Sequence, residues 1–386
     1  MRIGIIEVCE PNHYTAVEAL AKTYTTHPDN EVIIYTLKSI APLFKDLTTQ
    51  IVVKSENETL ADFLAGLASF NLDRIHINTI SKFYKEFAQV KWSAPVYLTV
   101  HNIDLFFANS FATRTRRLFY ELGIKLSGKS KQVWSAPLIQ YLKDFKRQRY
   151  RNIISKQVHQ KDSRVIVYGH AQKEYLKQMF DAKKIIVFPF GINEGLADLS
   201  DVNTKLRICI PGSVSSKRRN YDAVFKLLKR YPEIKNNIIL DILGYIPETD
   251  RYLVPIMDEL IKTGAEVIYN LDFVDTADFN DRLSKADMIL GNIKIQLDPF
   301  QKYGITKETG TIFNIIRSGK PGMLPADYPV DAELKDICLS FENYGVLAGL
   351  LKQLINDRSQ LKRLKQLAAQ KVKYYRPESL YKTLVN

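Results

Sequence analysis

The sequence is poor in cysteine and has no long apolar run. Three cysteines, Cys9, Cys209 and Cys338, are spread over 386 residues. No two have metal-ligand spacing, and two lie in or beside apolar runs that read as strands. That excludes a disulfide framework or thiolate metal site and leaves buried, reduced thiols of an intracellular chain. No stretch reaches the ~18–20 apolar residues that span a bilayer. The short apolar run within Met1–Pro11 is broken by Glu7 and Glu10, which is too little for a secretory signal core. The expected location is cytoplasmic, with any membrane seat peripheral, on the inner face. Internal repeats with periods of about 20–50 residues and low-complexity tracts are also missing.

Two common nucleotide motifs are absent. Where the first strand ends, a dinucleotide-binding chain has three spaced glycines; here Glu10-Pro11-Asn12-His13-Tyr14 follows. Nicotinamide and flavin chemistry is therefore disfavoured, and no P-loop pattern occurs elsewhere. No metal motif is found, so no cofactor is expected.

What is present is ordinary for a folded protein: 46% hydrophobic and 25% charged residues. The length suggests two domains. Lys and Arg total 55 against 42 Asp and Glu, a net charge of +13. Such a chain attracts anions, whether nucleic acid, an anionic membrane or a phosphorylated small molecule.

Apolar runs alternate with helical patterns. Arg2–Val8, Glu31–Leu37, Asp73–Ile77, Pro95–Val100, Arg164–Val167 and Ile185–Phe188 read as strands, and Thr15–Tyr24 and Leu60–Phe70 as helices. Unbroken rather than alternating apolar strands predict a parallel sheet covered on both faces. The pattern then restarts. Strands are expected at Leu206–Ile210, Ile238–Leu243, Glu266–Tyr269, Met288–Leu290 and Gly322–Leu324, with helices at Asn220–Tyr231, Arg251–Thr263 and Thr309–Ser318. Gly191–Thr204 reads as a linker, and Tyr344–Leu384 as helical with a break at Pro377. The fold class is therefore α/β, with two doubly wound Rossmann-like domains expected to face a central cleft.

Two segments suit an anion. Cys209-Ile210-Pro211-Gly212-Ser213-Val214-Ser215-Ser216-Lys217-Arg218-Arg219-Asn220 joins a glycine turn after a strand to hydroxyls and cations before a helix. Free amides, a helix dipole and cations together make a diphosphate site. Equally, the loop reads as a solvated and merely basic one. Tyr303-Gly304-Ile305-Thr306-Lys307-Glu308-Thr309-Gly310-Thr311 places small residues at another helix start, where Thr309 or Thr311 could equally be a plain N-cap. Both lie at carboxyl ends of one expected sheet.

Here the chain resembles the GT-B glycosyltransferases, the retaining group that uses nucleotide sugars (glycosyl transferases group 1-like). Thr99-Val100-His101-Asn102 resembles that group's strand-end T-x-H-D/N segment, and Val167-Tyr168-Gly169-His170-Ala171 its turn before a helix. Ile186-Val187-Phe188-Pro189-Phe190-Gly191-Ile192 resembles its interdomain P-N-G signature. Pro211-Gly212-Ser213 through Lys217-Arg218 resembles G-R-x-x-x-x-K-G. Lys285-Ala286-Asp287, Arg317-Ser318-Gly319-Lys320-Pro321 and Pro377-Glu378-Ser379-Leu380-Tyr381 resemble its later signatures and tail helix. No single motif decides; their order and spacing together are fairly specific.

The resemblance implies an acceptor-binding domain over 1–195, a nucleotide-sugar-binding domain over 205–370 and a helix over 371–386 crossing back to the first domain. It implies transfer of a sugar to a glycan or lipid-linked acceptor in cell-surface polysaccharide synthesis. His101 would lie near the anomeric centre, and Lys217 or Arg218 would neutralise the leaving diphosphate. Gly212, Ser213, Glu308, Thr309, Gly310, Thr311 and Asn314 would hold the donor. The chain also departs from the group. Ser213 stands where an arginine is usual, and Thr306 and Asn314 stand where a carboxylate pair is usual; Glu308 is near but out of register.

From Phe111 to Gln160 there are twelve Lys/Arg and only Glu121 and Asp144 as acids, with aromatics interleaved. Two amphipathic helices with basic faces would fit, docking on an anionic membrane or simply solvated. Three rivals remain: a nucleic-acid-binding protein, although no such module is recognisable; an epimerase of the same fold; and a non-catalytic glycosyltransferase partner, favoured by the missing carboxylates.

Overall fold

The computed structural model describes residues 1–9, 13–67, 70–107, 118–119, 136–160, 162–193, 195 and 204–385. It divides into two compact units. Unit 1 comprises Met1–Phe190 with Asp298–Gln301 and Tyr381–Asn386; unit 2 comprises Gly191–Leu297 and Lys302–Leu380.

Unit 1 is built on a seven-stranded parallel sheet. Its strands are β1 (Arg2–Glu7), β2 (Glu31–Thr36), β3 (Gln50–Val53), β4 (Arg74–Ile77), β5 (Val96–Thr99), β6 (Arg164–Val167) and β7 (Ile185–Val187), in the order β3-β2-β1-β4-β5-β6-β7. The central strands are buried on both faces, which is why their interiors are mostly apolar. Unit 2 repeats the plan with β8 (Leu206–Pro211), β9 (Ile238–Tyr245), β10 (Glu266–Asn270), β11 (Met288–Leu290), β14 (Gly322–Pro325) and β15 (Cys338–Phe341), ordered β10-β9-β8-β11-β14-β15. β12 (Gln296–Asp298) and β13 (Gln301–Lys302) form a separate two-stranded ribbon. Each main sheet reverses direction at its first strand, between β1 and β4 and between β8 and β11. Ligand crevices of open α/β sheets form at the carboxyl ends of such a switch point.

Several boundaries differ from the sequence reading for physical reasons. β3 and β15 were not expected: both are edge strands, only partly buried, and too short for a clear apolar run. The expected helix over Arg251–Thr263 is a 3-10 turn at Glu248–Leu253 followed by an α-helix at Val254–Lys262, with Pro255 in its first turn. The tail breaks first at Asp357, whose carboxylate caps the Arg358–Lys371 helix, and then again before the Pro377–Val385 helix. Gly191 and Asn193, read as linker, are fixed in unit 2. A Cβ at Gly191 would fall 2.7 Å from the Phe313 carbonyl oxygen, and the Asn193 amide donates to the Ile316 carbonyl at 3.1 Å. The rest of the linker, at 194 and 196–203, lies outside the described residues, as do 111–117 and 120–135 of the basic segment. The described part of that segment includes one 23-residue helix, Ala136–Val158.

All three cysteines are buried and free. Burial pushes the Cys9 thiol up to about 11 and the Cys338 thiol up to about 12, so both stay protonated at neutral pH. Among the described residues no helix is long and apolar enough to cross a membrane.

A fully buried carboxylate stands in the unit 2 core. Asp241 on β9 is paired with Arg207 at 2.6 Å and with Arg282, while Arg282 also reaches the Asn270 side chain. Both guanidiniums have little exposure and depend on this acid. Asp241→Ala is expected to destabilise the protein by about 3–5 kcal/mol, because it strands buried positive charge. Urea unfolding of the variant checks this; a loss below about 1 kcal/mol would mean that water replaces the carboxylate.

Candidate functional site

In unit 1 the loops after β1, β4, β5 and β6 bring polar side chains to one sheet edge. His101 follows β5. Its Nε2 lies 2.8 Å from the Asn78 carbonyl oxygen, and a carbonyl only accepts, so Nε2 carries the proton. In the neutral ring, Nδ1 is then left to accept from the Tyr168 hydroxyl at 2.9 Å. The His101 ring stacks on His13, with centroids 4.1 Å apart and planes 11° from parallel. Thr79 joins the two rings through its hydroxyl, 2.9 Å from His13 Nδ1 and 3.2 Å from His101 Nε2. Beneath them Glu7, fully buried, accepts from the Asn78 side chain at 2.6 Å and from the Cys9 amide at 2.8 Å. His101 is thus held in one ring orientation by a network that runs through Asn78 to the buried Glu7 carboxylate.

Unit 2 places its candidates in two groups at the carboxyl edge of its sheet. The first follows β8. Gly212 has φ +98°, which favours glycine, and its amide donates to the Leu243 carbonyl at 2.8 Å. Gly244 is needed for the same close approach, since a Cβ there would fall 2.4 Å from the Gly212 carbonyl oxygen. Ser213 follows, and its hydroxyl accepts from Arg218 at 3.1 Å. Lys217 and Arg218 are exposed and sit in a turn; the helix begins only at Tyr221, capped by Asn220. They are therefore loop cations, not residues of a helix start, and Arg218 contacts the turn through Ser213. Tyr303 is buried beside this turn, and the Lys294 ammonium donates to the Ser216 carbonyl at 2.6 Å.

The second group opens the Gly310–Ser318 helix. Thr309 is its N-cap, accepting from the Thr311 amide at 3.3 Å. Gly310 is exposed, and nothing lies within 4 Å of where its Cβ would be. Thr311 has a different place from the one expected of a ligand residue: its side chain is fully buried and packs beside Gly291. Only its backbone belongs to the helix tip. Asn314 turns its amide back onto the Gly310 carbonyl at 2.8 Å, and Thr306 is bonded within its own turn to Lys302. The two positions that carry carboxylates in the resembled group are thus occupied by locally satisfied polar side chains.

Glu308 is the acid of this group. It accepts from the Thr309 amide at 2.8 Å and from the Tyr328 hydroxyl. Burial pushes its carboxyl up to about 7, although both hydrogen bonds oppose the rise. Near neutral pH it is therefore poised between donor and acceptor.

Sequence reasoning missed Asn78, Thr79, Tyr168, Arg219 and Asn292 as site residues. Tyr168 and Arg219 stood inside quoted motifs, but only the sheet order shows which neighbours they meet. Arg219 is buried at 8% exposure and donates to the Pro211 carbonyl at 2.5 Å and the Asn292 side chain at 3.3 Å. It joins the end of β8 to the loop after β11 across the switch point. Among the described residues no group of three or more His, Cys, Asp or Glu could hold a metal ion.

With these sites in place, the chain can be set beside known proteins. No protein-family model and no curated protein matches it. Solved structures do. HepE from Anabaena, in complex with UDP and glucose, aligns over 100% of this chain and 98% of its own at a TM-score of 0.63 and 13% identity. WaaG, a glycosyltransferase involved in lipopolysaccharide biosynthesis, aligns over 100% and 98% at 0.58 and 11%. A structure from Listeria monocytogenes assigned as a UDP-N-acetylglucosamine 2-epimerase aligns over 98% and 93% at 0.56 and 13%. The fold is therefore that of the GT-B glycosyltransferases.

The raised Glu308 carboxyl has a pH signature. A folded-state value near 7 against an ordinary 4.5 means that folding favours the protonated form. That stability is fully present below about pH 4.5 and is lost as pH rises through 7. Glu308→Gln keeps a neutral side chain at every pH. Wild type and variant should melt together near pH 5, and the variant should be the more stable at pH 8. Parallel melting curves from pH 5 to 8 would show an ordinary, ionised carboxylate.

Proposed function

We propose that this chain is a glycosyltransferase that moves a sugar from a nucleoside-diphosphate sugar to a glycan or lipid-linked acceptor in cell-surface polysaccharide synthesis. The observation that carries this reading is the pairing of a glycine turn under loop cations with an open helix tip at one sheet edge of unit 2. A diphosphate needs that combination: amides for its oxygens and cations for its charge. The full-length likeness to HepE, which is described with UDP and with UDP-glucose, adds support.

In this reading Arg218, with Lys217 beside it, neutralises the leaving diphosphate. Gly212 and Ser213 let backbone approach it. Charge on the leaving group grows as the glycosidic bond breaks, so fixed cations there lower the barrier as well as bind. The tip formed by Thr309, Gly310 and Thr311 offers the Gly310 amide to the ligand, with Glu308 as the adjacent hydrogen-bonding acid and Asn314 one turn on. His101, its tautomer set by Asn78 and Tyr168, is the unit 1 residue that this reading assigns to the sugar. None of these roles needs a metal ion or cofactor.

A second reading, a non-catalytic partner that binds nucleotide sugar without transferring it, is favoured by one observation: Thr306 and Asn314 replace both expected carboxylates. Two measurements separate the readings. A thermal-shift screen of nucleoside diphosphates and nucleotide sugars should give a ligand that stabilises the protein, by ~2.7 kcal/mol at about 100 times its Kd. Slow hydrolysis of that nucleotide sugar, reduced at least about tenfold by His101→Ala, would mark an enzyme. Binding without any turnover would mark the partner, and no ligand at all would sink both.

The acceptor side carries a further expectation. On the Ala136–Val158 helix, Phe145 is 58% exposed and Ile153, Arg149 and Lys156 are exposed as well. We place this basic, partly apolar surface against an anionic cytoplasmic membrane, as a peripheral contact that presents a lipid-linked acceptor. Co-sedimentation with phosphatidylglycerol vesicles should exceed that with phosphatidylcholine at least about tenfold and fall in high salt. Equal binding to both lipids would remove the idea.

A further inference from the structure

Unit 1 has a second concave surface, at the opposite end of its sheet from His101. A cavity of about 370 Å³ lies between the loop over 91–96 and the end of the Ala136–Val158 helix, with Gln157, Gln160 and Ser163 on the helix side. Val96 opens β5 and His101 follows its far end, so a strand of four residues, roughly 13 Å long, separates the two places. None of the residues assigned above to the donor or to transfer borders this cavity.

The walls are fixed before any ligand arrives. Gln157 Nε2 donates to the Val90 carbonyl at 2.8 Å, the Ile75 amide to the Pro95 carbonyl at 3.0 Å and the Val96 amide to the Ser163 hydroxyl at 2.9 Å. The loop is thus tied to the helix, to β4 and to the approach to β6. Trp92 packs against the unit 1 core, with its ring 6.5 Å from that of Phe87, and also borders the cavity.

The chemistry of the walls selects among ligands. Buried Ala94 and Val96, together with Pro95 and the indole, supply carbon surface. The Ser163 hydroxyl accepts from Val96, which leaves its own proton for another acceptor. Among the described residues, the Lys91 ammonium, the Trp92 indole N–H and the Gln160 side-chain amide have no partner. An anion is disfavoured here. Lys91 is the one cation among the described residues of the wall, and the long helix points its carbonyl end this way, the negative end of its dipole. A wholly apolar ligand would leave the polar groups unused. A neutral ring with hydroxyls on its rim and C–H groups on its face suits both kinds of wall.

We propose that this cavity holds one sugar unit of a glycan chain, as an anchoring site remote from the transfer edge. The proposal rests on the glycan acceptor of the reading above. The indole and Pro95 take the C–H face of the sugar, and Lys91, Gln160 and Ser163 take its hydroxyls. A site this far from His101 suits a polymer better than a single sugar. Holding the chain there raises the local concentration of its ends without touching the bond that reacts.

The test uses the full chain carrying Trp134→Phe. The sequence has two tryptophans, so Trp92 is then the sole indole reporter. Its emission is titrated with maltotetraose, cellotetraose and chitotetraose, and with sulfate as the anion control; saturation-transfer NMR repeats the titration on the unsubstituted chain. At least one tetrasaccharide should give a saturable response, and sulfate at the same concentration should give none. Lys91 and Gln160 are exposed, so Lys91→Ala and Gln160→Ala should leave the melting temperature and UDP binding unchanged. Each should weaken the saccharide roughly three- to tenfold, the worth of one hydrogen bond. No saturable response to any of the three tetrasaccharides, or one indifferent to both substitutions, would overturn the site. A response to sulfate alone would make it an anion site and overturn the proposal equally. Saccharide binding in a chain that no nucleotide sugar stabilises would keep this site and end the transferase reading. Nucleotide-sugar binding without saccharide binding would end this proposal alone.

Discussion

Both units depend on the reversal of strand order at their first strand. In a parallel sheet each crossover must lie on one face, and the two neighbours of β1, like those of β8, are reached in opposite directions. The loops leaving the strands on either side therefore diverge, and the strand ends cannot cover one another. Their amides and carbonyls need other partners. Unit 1 meets this need with side chains: Asn78 and Glu7 link the ends of β4 and β1, and His101 bonds back to the Asn78 carbonyl. Unit 2 meets it with Arg219, which spans from Pro211 to Asn292, and with the glycine contact between residues 212 and 244. The same geometry that leaves backbone groups unsatisfied also leaves room for a ligand.

This constraint also explains what could be read in the sequence. The central strands were legible because burial on both faces forces an unbroken apolar run, and β6 and β11 begin and end where the pattern does. β3 and β15 were not, because Gln50 and Val53 of β3 and Ser340 of β15 are exposed and neither strand forms a long apolar run. His101 and Gly212 could be picked out as residues at strand ends. Thr79 and Tyr168 could not, since only the sheet order decides that loops separated by dozens of residues share one corner. Thr311 misleads for a related reason. A small hydroxyl residue at a helix start suggests a ligand, but here its side chain fills the space beside Gly291, and only Thr309 performs the capping.

The departures from the resembled group matter through position in space, not through register. Asn314 sits where a carboxylate is usual, and its amide is spent on its own helix. Glu308 is two residues from the other carboxylate position along the chain, yet it lies at the helix tip, held by the Thr309 amide and Tyr328. An acid there differs in kind from a solvated one. Its burial brings it close to half-ionised at neutral pH, so it can donate to a hydroxyl as readily as accept from one. An aligned but exposed carboxylate could only accept.

Charge shows the same distinction between amount and placement. The excess of +13 attracts any polyanion, but that attraction is screened within about 10 Å at ordinary salt and does not discriminate among anions. Lys217 and Arg218 are exposed and hydrated, so by themselves they attract anions without choosing sharply among them. A buried cation next to glycine is different, because its desolvation is complete before any ligand arrives. Arg219 and Asn292, which meet where β8 and β11 part, are donors of that fixed, already dehydrated kind.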